Sequence, residues 1–164
     1  MRKHGFDFRF IHKDKDGKIL DDSGFLPNHM TDAGFELMYG VFFRGATAPT
    51  GFEIGLSTLG LTQTSTTVTE VTGTGYARQA VARDAIDFPT LALDAGDMQV
   101  ITKTVQFENT DASVAWDGAV AGFLHSVGAG AAKLICYRPL SATRTLQPGD
   151  TLDVTIRIKG LQPA

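Results

Sequence analysis

Near the start of the chain Phe6, Phe8 and Phe10 alternate with Asp7 and Arg9, the two-residue period of a half-buried β-strand. Asp16-Gly17 then supplies tight-turn chemistry, and Lys18-Ile19-Leu20 is the expected returning strand. An isolated two-stranded hairpin is marginal in water, so this one must pack on the rest of the chain or on a partner. Residues 1–28 are therefore read as an N-terminal arm carrying a hairpin, and residues 29–164 as one domain. At 31–44 the pattern changes. Phe35, Met38 and Phe42, with Leu37 and Val41 beside them, recur at three- and four-residue intervals, Thr31 or Asp32 can cap the segment, and Gly45 and Pro49 end it.

From residue 51 onward the pattern is that of strands. The expected ones are 52–57, 66–72, 76–82, 97–108, 119–127, 133–137 and 151–159. The last is the cleanest, with Leu152, Val154, Ile156 and Ile158 facing one way and Asp153, Thr155, Arg157 and Lys159 the other. Gln147-Pro148-Gly149-Asp150 before it reads as a turn. Seven or eight short strands separated by turn signals predict an all-β protein, a β-sandwich with a jelly roll as one form of it, carrying one short N-terminal helix and the N-terminal hairpin arm.

Composition agrees with turn-rich β structure: 18 glycines, and 20% charged residues in 164. A net charge of −3 offers no footprint for nucleic acid. Its distribution says more, because residues 1–22 hold eleven of the 33 charged residues and leave a sparsely charged body suited to lasting protein contacts. One cysteine, Cys136, cannot form an internal disulfide, so synthesis in a reducing cytoplasm is expected. No apolar run is long enough to span a membrane, and the N-terminus lacks a signal-peptide core.

No catalytic constellation emerges. Asp14-Lys15-Asp16-Gly17 with Asp21 and Asp22 resembles part of a calcium loop, yet lacks the further ligands that an EF-hand needs and reads as a solvated turn. His4, His12, His29 and His125 have no zinc-ligand spacing. His125 and Cys136 fall in expected strands, the thiol as a buried inert one. Thr72-Gly73-Thr74-Gly75 leads into a strand rather than a helix, so it is no phosphate cradle. The expectation is a non-enzyme without catalytic, cofactor or metal residues.

Several segments, in order, carry a family likeness: Thr31-Asp32-Ala33-Gly34, Phe42-Phe43-Arg44-Gly45-Ala46, Phe52-Glu53-Ile54-Gly55-Leu56, Gly73-Thr74-Gly75-Tyr76-Ala77-Arg78-Gln79-Ala80-Val81, Val105-Gln106-Phe107-Glu108-Asn109, Ala115-Trp116 and Leu146-Gln147-Pro148-Gly149-Asp150-Thr151-Leu152. This order resembles small virion structural proteins of tailed bacteriophages, of the minor tail, tail-fibre-like or capsid-accessory kind. The resemblance implies a β-sandwich that works by assembly into a particle made in the host cytoplasm, with other virion proteins of capsid, neck or tail as partners and a homo-oligomer as its form. Docking is expected through the arm's Phe6, Phe8 and Phe10, open to a neighbour's sheet edge, and through uncovered parts of the helix stripe, Phe35 and Phe42. Deleting residues 1–22 should then leave a folded body. The alternative is a tail-fibre receptor-binding or carbohydrate-binding module in which Tyr76, Trp116 and Tyr137 stack on sugars.

Overall fold

Alternation at the N-terminus does produce a strand, but its neighbours are part of the body. The computed structural model describes residues 5–94, 97–128 and 132–160. In chain order it contains β1 (Gly5–Lys13), β2 (Ile19–Asp22), β3 (Leu26–Pro27), β4 (His29–Met30), α1 (Asp32–Phe43), β5 (Gly51–Ser57), β6 (Gln79–Ala82), β7 (Thr90–Asp94), β8 (Asp97–Ile101), β9 (Val105–Glu108), β10 (Ala119–Val127), β11 (Leu134–Arg144) and β12 (Thr151–Gly160). Two antiparallel sheets form an all-β sandwich. One runs β2-β1-β12-β8-β7, with β3 also beside β1 and β9 also beside β12; the other runs β4-β11-β10-β5-β6.

The first and last strands are the centre of the first sheet. β1 pairs with β12 along its whole length, from Gly5 opposite Lys159 to Lys13 opposite Thr151. Phe8 and Phe10 stack at 5.7 Å and lie in the core beside Leu152, Val154 and Ile156. Gly122 in β10 makes room for them, since a Cβ there would come within 2.6 Å of the Phe10 ring. The expected arm is therefore a hairpin folded into its own chain, because an alternating Phe strand lowers its free energy most where both its backbone and its apolar face are covered.

The dense charge of this segment has a matching explanation. On the outward face Arg157 reaches Asp7 at 2.6 Å, Lys13 reaches Asp153 at 2.5 Å and Arg9 reaches Asp22 at 2.6 Å, while on the other face Arg144 of the second sheet reaches Asp21 at 2.6 Å. Arg157 also covers the Phe25 ring at 4.2 Å. In the turn, Asp14 Oδ1 accepts from the backbone N–H of Asp16 and of Lys18, and Gly17 takes a φ of +81° that favours glycine. The carboxylate is thus engaged with its own turn.

Other expectations shift for local reasons. Segment 66–72 joins the sheet only through a bridge from Glu70 to Ser57. The expected strand 97–108 is two strands, because Thr102 leaves the line: its hydroxyl accepts from Ile156 N–H at 2.9 Å while β8 and β9 pair with opposite ends of β12. β11 runs seven residues past the expected 137, through a polar, mostly exposed stretch. β7 was not foreseen from the sequence.

Candidate docking surface

Five residues were expected to dock, and the fold separates them. Phe8 and Phe10 are 0% and 3% exposed, so their rings are not available to a partner. Phe6 is half-buried where the core face runs toward the end of β1 and β12, Phe35 is half-buried on α1, and Phe42 is 74% exposed near the helix end.

The helix is attached by its first turn. Thr31 caps it, its Oγ1 accepting from Gly34 N–H at 3.0 Å, and its hydroxyl donates to the Leu134 carbonyl of β11. Thr31 N–H also donates to the Ile135 carbonyl at 3.0 Å. Gly34, the one buried residue of α1, lies directly on that strand: a Cβ there would be 2.1 Å from the Ile135 carbonyl oxygen. Lys133 pairs with Glu36 beside this contact. Leu37 packs against the core, while the opposite side of the helix is left uncovered.

That open side is aromatic. Phe35 and Tyr39 lie 6.1 Å apart, Tyr39 and Phe43 6.1 Å, and Phe42 and Phe43 6.5 Å between ring centroids, with Tyr39 51% and Phe43 79% exposed. Residues four apart stack on one helix face, so the sequence spacing builds the ridge. Such a run of open aromatic surface is a candidate interaction site. The sequence pattern grouped Phe35 with Phe42 and did not include Tyr39 and Phe43.

The remaining candidates are structural. Trp116 and Tyr137 are buried, Trp116 Nε1 donates to the Thr74 carbonyl at 3.0 Å, and Tyr76 packs between Phe107 and Trp116. These rings cannot stack on a sugar, which corrects the carbohydrate expectation for them. The Tyr-Ala-Arg motif serves the core instead. Tyr76 hydroxyl accepts from Leu56 N–H at 3.0 Å and donates to Glu70 at 2.9 Å, and Arg78 joins Glu70 at 2.7 Å to Glu53 at 3.1 Å while lying over Phe123. Burial pushes the Tyr76 hydroxyl above its ordinary range. Burial would raise Glu70, but hydrogen bonds from Arg78 and Tyr76 outweigh it and hold its carboxyl below the usual range. His125 is lowered by burial and by the Arg78 charge, with its Nδ1 3.3 Å from the Ser126 carbonyl. Cys136 is buried, and burial raises its thiol. Among the described residues no three His, Cys, Asp or Glu are grouped to hold a metal, and no helix is long and apolar enough to cross a membrane.

This cluster sets a pH response. A depressed histidine favours the folded state only while it is neutral, so its contribution declines as the pH falls from its ordinary value of 6.5. A depressed carboxyl likewise contributes above its unfolded value, 4.5 for Glu70, and the contribution is lost on further acidification. Asp22, held at about 2 by Arg9, keeps its part to much lower pH. Thermal melting followed over these windows should show Tm falling in acid, with the step below 4.5 reduced in Glu70→Gln; an unchanged step would assign it elsewhere.

No curated protein sequence matches the chain. The sequence profile of the family described as Podophage GP4 fiber I protein gp80 does, over residues 30–162, from β4 through the last sandwich strand. With most of its length inside that match and a β-sandwich fold, the chain belongs to the podophage GP4 fiber I protein gp80 family and is a structural protein of a tailed-phage virion.

Proposed function

We propose that this chain is a non-enzymatic component of a phage fibre that is held in the particle by the aromatic ridge of α1. The observation that carries this reading is the ridge itself: Tyr39, Phe42 and Phe43 are each more than half exposed, whereas the other aromatic groups of the motif regions are in the core. Partners are other virion proteins, which would bury the rings and gain the apolar area that water now covers. Of the residues expected to dock, Phe35 and Phe42 serve here.

Phage carrying Phe42→Ser with Phe43→Ser provide the test. Both side chains are solvent-facing, so the purified variant should melt like the wild type, yet particles should contain little of it. Wild-type incorporation, measured by quantitative mass spectrometry of purified particles, would exclude the ridge as the docking element. Docking does not require the N-terminal hairpin to leave its sheet.

A further inference from the structure

The ridge has a counterpart on the same chain. Along the inward face of the first sheet, β12 passes from Val154 and Ile156, both 0% exposed, to Ile158, which is half-buried, and β1 passes from Phe8 to half-buried Phe6. The core face therefore runs out from under the second sheet. Register extends it sideways: Phe6 lies opposite Ile158, Ile158 opposite Val100, and Val100 opposite Leu91. Residues directly opposite in a sheet share a face, so these four form one apolar row across four strands. Its outer end is bare, with Leu91 73% exposed and Met98 nearby at 39%.

We infer that the ridge of one copy docks on this row of a second copy, head to tail. The inference rests on the ridge being a docking element and names its occupant. Area is the argument. Aromatic side chains bury about 150–250 Å² each, so the partly covered Tyr39, Phe42 and Phe43 offer on the order of 400 Å². A stable interface takes on the order of 800 Å² from each partner, so the ridge alone is about half of one. A closed ring of copies makes up the difference, because every chain then buries its ridge in one contact and its row in another, and neither of these two faces is left open. A raised ring ladder on a helix also suits an apolar ledge at the margin of a sheet. Contacts of this kind use two different patches per chain, which sets them apart from a twofold ridge-on-ridge pair.

Two exposed-site variants of the full chain test it. Phe43→Asp disables the ridge and leaves the row, and Leu91→Asp does the reverse. By analytical ultracentrifugation at high protein concentration the wild type should sediment heavier than its 17.6 kDa chain, and each variant alone as a single chain. Mixed, the two variants share one intact ridge-and-row contact with no ring to close, and should associate no further than a one-to-one pair and more weakly than the wild type. A monomeric wild type overturns the inference while leaving docking on another virion protein intact. So does association of Leu91→Asp at wild-type strength, which would mean ridge on ridge, and so does a mixture that assembles as far as the wild type. Self-association that follows this pattern together with normal particle incorporation of the Phe42→Ser, Phe43→Ser chain would instead remove the docking role and keep the contact between copies.

Discussion

Phe8→Ala should remove a large part of the protein's stability and lower its melting temperature sharply. The ring is wholly buried, stacked on Phe10, and placed where Gly122 leaves it room, so its removal opens a cavity between two sheets that have no spare side chain to fill it. Losses for such truncations are about 3–5 kcal/mol. A domain of this kind has about 5–15 kcal/mol in all. Deletion of residues 1–22 should be worse, since it strips β12 of the neighbour along its whole length and removes both phenylalanines together. Circular dichroism melting of the two variants gives the answer. A truncated chain that melts cooperatively near the wild-type temperature would show that the hairpin is dispensable, as the sequence had suggested. Phe6→Ala, at a half-buried position, serves as the comparison and should lose much less.

Gly34→Ala should detach the helix without unfolding the sandwich. The added carbon would lie 2.1 Å from the Ile135 carbonyl oxygen and 2.9 Å from the carbonyl carbon, and neither can retreat, because β11 is held between β4 and β10. The helix must give way instead. Overpacking of this sort costs about 1–3 kcal/mol, and the shift also strains the Thr31 cap, worth about 1 kcal/mol more. Hydrogen exchange should show the α1 amides losing protection while those of β10 and β12 keep theirs. Gly40→Ala is the control: its nearest neighbour is the Ala46 side chain at 3.3 Å, and replacing a mid-helix glycine gains up to about 1 kcal/mol of helix propensity. Unchanged α1 protection in Gly34→Ala would contradict the account of how the ridge is mounted.

Periodicity revealed what it physically encodes and no more. The strands at 52–57, 119–127 and 151–159 were legible because their apolar positions are continuous or strictly alternating, and α1 because its cap and spacing agree. Segment 66–72 has its core-packed valines at 68 and 71, three apart, so they fall on opposite faces of a strand and no single apolar face fixes it in a sheet. The break at Thr102 depends on a hydroxyl reaching Ile156 from another strand, which no local pattern records. For the docking surface, spacing grouped Phe35 with Phe42 but could not say which side of the helix the body would cover. A glycine decided that. Gly34 has no hydrophobic signal of its own, yet it alone allows the helix to sit on a strand's backbone, and so turns the phenylalanines outward. The Phe8 and Phe10 strand was recognised, while its destination was not, because a strand's pairing partner is not fixed by its own local sequence.

The pairing of β1 with β12 also has a consequence for biosynthesis. Asp7 and Arg157, which meet across these strands, are 150 residues apart in sequence. At about 5–20 residues per second, the ribosome makes the first strand on the order of ten seconds before the strand that shelters it. Throughout that interval three phenylalanines in a row of alternate positions are exposed on a nascent chain, and closing so long a loop makes the final step slow. The charges between and beyond them, needed later for the ion pairs of the finished sheet, first keep this segment soluble. The N-terminal strand is thus the point at which folding competes with aggregation, and where a host chaperone would have most to hold.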